Sequence, residues 1–131
     1  MLKDQLDHEE HETEVYAGKV RETTHSVAKL FYVNLMRDSL QHADVLNSAI
    51  SYLATNQWEA LAPPKETREE MLRLMDMKEK ALRLFTTTST QVGDTHLKSL
   101  LTMLAFDEGQ HYAILKYVLE NFVEKNEVIR T

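Results

Sequence analysis

Cysteine is absent from the chain, which removes disulfides, thiolate zinc sites, iron–sulfur clusters and thiol catalysis together. Any metal would have to sit on oxygen and nitrogen donors. Glycine and proline are scarce, three and two in 131 residues, which argues against a strand-dense sandwich and against disorder. No run of eighteen or more apolar residues occurs, and the opening MLKDQLDHEEHETE has no apolar h-region. A cytoplasmic protein without a membrane span is expected. A basic excess is also missing. The formal charge is −6, which disfavours duplex nucleic acid or an anionic membrane as partner.

What remains is 43% apolar and 27% charged, with apolar residues recurring at steps of three and four nearly everywhere, the helical period. Four helices are predicted. The first runs from about Gln5, after an Asp4 cap, to about Glu22, and the second from Thr24 or His25 to about Ala54. The third covers about Glu66 to Thr90 and the fourth about Asp94 to Lys125. Short breaks at Thr23–Thr24 and Val92–Gly93 predict antiparallel helix hairpins. In NQWEALAPPKE, adjacent Pro63 and Pro64 interrupt any helix, and the stretch is long enough to carry the chain along a bundle. The expected fold is all-α: one domain over 1–131, a four-helix bundle of two antiparallel hairpins, 5–54 and 66–125, joined by a crossover over 55–65.

Sliding the sequence on itself by 69 residues supports this division. DHEEHETEVY (7–16) falls on DMKEKALRLF (76–85), and LMRDSLQHADVL (35–46) falls on LAFDEGQHYAIL (104–115). The identical positions include Asp7/Asp76, Glu10/Glu79, Asp38/Asp107, Gln41/Gln110 and His42/His111. Several of these are polar residues standing on otherwise apolar stripes.

Tracing one inward row per helix gives Leu6, Glu10, Thr13, Ala17 and Val20; then Leu35, Ser39, His42, Leu46 and Ala49; then Leu72, Met75, Glu79 and Leu82; and finally Leu104, Glu108, His111 and Leu115. Glu10 lies about 13 residues before the first hairpin turn and Ser39 about 15 after it, so at roughly 1.5 Å of rise per residue they share a level. Glu79 and Glu108 are placed similarly about the second turn. Three buried carboxylates at one level would cost several kcal/mol each without compensation. A divalent ion would supply it, and carboxylate plus imidazole suits iron, manganese or zinc. The Glu-x-x-His of Glu108 and His111 puts both donors on one helical face, although a single such motif is weak by itself. The bland alternative is a metal-free bundle whose core polar groups satisfy one another.

With these residues the chain resembles the ferritin-like superfamily, nearest the rubrerythrin-like (erythrin-type) di-iron carboxylate bundles, over about residues 5–125. Such bundles hold two metals with one Glu from each of two helices and a Glu-x-x-His from each of the other two. The resemblance implies Glu10, His42, Glu79, Glu108 and His111 as metal ligands, with Glu79 and Glu108 carrying most of the chemistry. It also implies Asp107 orienting His42 and Asp38 orienting His111. The departure is Ser39, which stands where the pattern has a second bridging Glu; one or two ions are expected in the bundle core, with a single ion held mainly by Glu79, Glu108 and His111.

The activity so implied is a non-haem iron protein that reacts ferrous iron with dioxygen or peroxide. Without cysteine it has no rubredoxin-type iron of its own, so electrons would come from an external donor or from the iron itself. The rival expectation is a metal-free ferritin-like bundle serving as a binding or assembly module, and a hydrolytic zinc enzyme is a third. A homodimer packed through the second and fourth helices is expected. Met71, Met75, Met77 and Met103 read as core fillers. Trp58 reads as an anchor for the crossover, and the acids and histidines around Glu9 and His11 read as a solvated face.

Overall fold

The structure, a computed structural model, describes residues 1–55 and 65–125. The ordered elements are α1 (Leu2–Glu22), α2 (Ser26–Thr55), α3 (Arg68–Gln91) and α4 (Thr95–Val118), and α4 runs on into a π-helical turn, Leu119–Val123. Among the described residues there is no strand, so the fold is all-α with four helices, as the apolar period predicts. Most of the expected crossover, with Trp58, Pro63 and Pro64, lies outside the described residues. No described helix is long and apolar enough to cross a membrane.

Local chemistry explains where the helices begin. Thr67 and Glu70 form a reciprocal capping box on α3: the Thr67 hydroxyl accepts from the Glu70 N–H at 3.2 Å, and the Glu70 carboxylate accepts from the Thr67 N–H at 3.3 Å. Asp94 caps α4 by accepting from the Leu97 N–H at 2.8 Å. At the head of α2 the His25 ring does the same work, its Nδ1 accepting from the Ala28 N–H at 3.2 Å. Asp4 is not a cap. Helix α1 starts earlier, at Leu2, and puts Asp4 in its first turn, where a carboxylate suits the positive end of the helix dipole.

The chain divides into two compact units, Met1–Leu61 and Ala62–Thr131. In unit 1, α1 packs against α2, burying Leu6 and Ala43 together with two polar residues, Glu9 and Ser39. In unit 2, α3 packs against α4 around Met71, Met75, Leu119 and Val123, with Tyr112, Leu115 and Val118 against them. Met71 and Met75 therefore fill a core as expected, whereas Met77 is exposed. In each unit, residues on either side of the connection meet: His42 with Glu9, Lys78 with Glu108, and Arg68 with Glu124. Pairing of this kind fixes which side chains share a level.

Candidate metal centre

On α1 the inward row passes through Glu9. Glu10, one residue on and about 100° around the helix, is exposed. Glu9 retains only 9% of its accessible surface. Its Oε1 accepts from Gln5 Nε2 at 3.4 Å and lies 3.5 Å from His42 Nδ1, both long contacts. Its Oε2 is buried without a hydrogen-bond partner among the described residues. The backbone beneath it is fixed by Thr13, whose hydroxyl donates to the Glu9 carbonyl at 2.8 Å. From α2, Ser39 is 4% exposed, so this position is inward as expected but presents a hydroxyl. His42 is largely exposed and reaches the group from its edge.

The corresponding group in unit 2 is built differently. Glu108 is the half-buried acid here, and Lys78 from α3 places its Nζ 3.1 Å from Glu108 Oε2. That is ion-pair distance without the alignment of a hydrogen bond. His111 Nδ1 is 3.9 Å from the same oxygen, so the Glu-x-x-His pair does share a face, with the imidazole half exposed. Glu79 turns along its own helix to Arg83, whose Nη2 donates to its Oε1 at 2.5 Å. Nearly a turn earlier on α3, Asp76 accepts from Lys80 at 2.8 Å, and this hydrogen bond and charge raise the Lys80 ammonium above its usual value on an open surface. Asp38 is exposed on α2, and Asp107 is half-buried on α4, where it has an interaction partner.

Of the five expected ligands, the structure thus brings together Glu108 with His111 and sets His42 beside an acid, Glu9 in place of Glu10. Glu10 and Glu79 point elsewhere. The shift of one residue recurs in both units, because Lys78 stands 69 residues after Glu9, just as Glu108 follows Ser39 and His111 follows His42. At matched positions unit 1 has acid then hydroxyl, and unit 2 has ammonium then acid. Glu9 and Lys78 escaped the sequence reading, although Tyr16 and Phe85, both half-buried aromatics, follow them by one heptad and mark the same face.

No family model, curated protein or solved structure matches the chain. The likeness to ferritin-like bundles therefore rests on its own residues.

A pair of divalent ions does not fit this side-chain set. Among the described residues no three His, Asp or Glu side chains converge closely enough to hold a metal. The chemistry of the donors points the same way. Within unit 2 the ammonium of Lys78 already balances the one carboxylate that faces it, Glu108, and within unit 1 a single buried carboxylate, Glu9, stands beside the hydroxyl position Ser39. A cation so close to a ligand oxygen repels a metal ion and competes for the same lone pair.

Proposed function

We propose that this chain is a ferritin-like four-helix bundle of two antiparallel hairpins that has given up di-iron chemistry, keeps a protein-internal ionic core, and serves as a binding or assembly module. The observation that carries the reading is the Lys78–Glu108 contact at 3.1 Å, because an ammonium supplies there the positive charge that a metal supplies in a di-iron bundle. Ser39 supports it from the other unit by removing a carboxylate from a position that is still buried. The test is anaerobic titration with ferrous iron, followed by desalting, metal analysis and exposure to dioxygen. Iron should not be retained, and no oxo-to-iron absorption should develop. Retention of one or two ions per chain with that absorption would overturn the reading.

A second reading keeps the chemistry implied by the resemblance: one iron, manganese or zinc ion, reacting with dioxygen or peroxide and drawing electrons from an external donor. The feature that favours it is Glu9 Oε2, a buried carboxylate oxygen without a hydrogen-bond partner among the described residues, beside the imidazole of His42. When bound, the ion would supply Lewis acidity and, if iron, redox change. Glu9 and His42 would then hold it from unit 1. The same titration distinguishes the two readings, since loss of the retained ion in His42→Ala would assign it to this pair.

A further inference from the structure

We infer that Lys78 is a built-in counter-ion that closes unit 2 to divalent metal, and that it is the one residue whose replacement would open it. The inference deepens the metal-free reading above and rests on it for the resemblance, but it concerns unit 2 alone. Three observations carry it. Lys78 Nζ lies 3.1 Å from Glu108 Oε2, while the imidazole of His111 is 3.9 Å from that oxygen. The Lys78 and Glu108 side chains retain 35% and 17% of their surface, so the pair is shielded enough for the charge of one to be felt by the other. The internal repeat places Lys78 at the position that holds the buried acid Glu9 in unit 1.

These facts make the exchange of acid for ammonium specific and not a drift of the surface. Position 78 points at the ligand-type acid of the facing helix, and an acid at that position would complete a set of two carboxylates and one imidazole within a single unit. Such a set holds no protein cation of its own and suits a borderline divalent ion. Lysine there reverses the sign of the side chain. The acid is then balanced by the chain itself, and the three groups attract no external cation. Lys78 acts through Glu108 and is a positioning residue: it fixes the carboxylate and occupies the space an ion would use.

Cobalt(II), whose visible absorption reports its ligands, is a suitable probe for the full chain. For the natural sequence, cobalt affinity should be the same with and without Glu108→Gln or His111→Ala. Lys78→Glu should bind one cobalt at least about tenfold more tightly than the natural chain, and adding His111→Ala should remove the gain. A folded Lys78→Glu that binds no better than the natural chain would overturn the inference while leaving the metal-free reading intact. So would a natural chain whose cobalt is lost on Glu108→Gln. An ion that the natural chain holds through His42, indifferent to Glu108→Gln, would keep unit 2 closed as inferred and overturn the metal-free reading instead.

Because two facing carboxylates can prevent folding in the absence of metal, a second variant avoids that risk. Lys78→Met strands the Glu108 charge and should melt several degrees below the natural chain. Adding Glu108→Gln to it should restore most of the loss. Equal melting of Lys78→Met and the natural chain would show that the ammonium is not the counter-ion of Glu108, and the inference would fail.

Discussion

Moving a carboxylate out of water costs several kcal/mol unless close donors replace its hydration. Glu9 has only long contacts: Gln5 at 3.4 Å and His42 at 3.5 Å reach one oxygen, and the other has no hydrogen-bond partner among the described residues. If its role is structural, an unbranched apolar side chain should fill the same space at lower cost. Glu9→Met is therefore expected to raise stability by about 1 kcal/mol at neutral pH, read as a higher urea midpoint at unchanged m. His42 loses little in this exchange because it is already largely hydrated. A loss of more than about 1 kcal/mol would mean that the carboxylate has a stronger partner than these contacts provide. Whether Glu9 or Glu10 faces inward was not legible beforehand, for a physical reason. From Leu6, steps of three and four residues are equally helical, and both land on glutamate. Counting identities in the repeat favours Glu10 with Glu79 and discards Glu9 with Lys78, because opposite charges never score as a match. Position 39 and Glu108 were legible because each stands three residues before a histidine, His42 and His111, that the 69-residue repeat aligns as identical.

Helices were easier to read than phases, since their limits are set by capping chemistry that a few residues declare. Asp94 and the Thr67–Glu70 box mark the starts of α4 and α3 within two residues of expectation. Asp94→Ala should lower the stability of unit 2 by about 1 kcal/mol, checked by chemical denaturation. The end of α4 was not legible. The sequence pattern runs smoothly to Lys125, whereas the backbone widens into a π-turn over Leu119–Val123. That turn places Leu119 and Val123, 4% and 1% exposed, against Met71 and Met75, and leaves Phe122 outside in edge-on contact with Tyr117 at 5.9 Å. Residues four apart share one face of a helix, and both of these side chains are turned into the core. Leu119→Ala should thus cost about 2–5 kcal/mol, the range for a deleted core leucine. A loss below about 1 kcal/mol would show that this turn packs loosely.

For a chain of formal charge −6, association with a second copy starts from repulsion, so any dimer must gain from apolar contact. Surface for such contact exists. Phe106, Ile114 and Tyr117 on α4 are 65%, 59% and 60% exposed, and Val45 and Leu53 on α2 are 67% and 68% exposed. Large apolar side chains exposed in such numbers along two helices exceed what isolated surface leucines would explain. The expected homodimer through the second and fourth helices would cover them, and an assembly module needs such a face more than a metal site does. Sedimentation velocity at micromolar concentration should show a dimer, and Phe106→Ser with Tyr117→Ser should shift it to monomer while leaving the helical circular dichroism unchanged. Serine is preferred to glutamate because added acids would weaken any contact between two acidic chains and report on charge alone. Ionic strength separates the causes. Between 0.05 and 0.5 M salt the Debye length shrinks from roughly 14 to 4 Å, so an apolar dimer of two acidic chains should tighten as repulsion is screened. An association that weakened with salt would be ionic, and the exposed faces of α2 and α4 would then not be what holds the copies together.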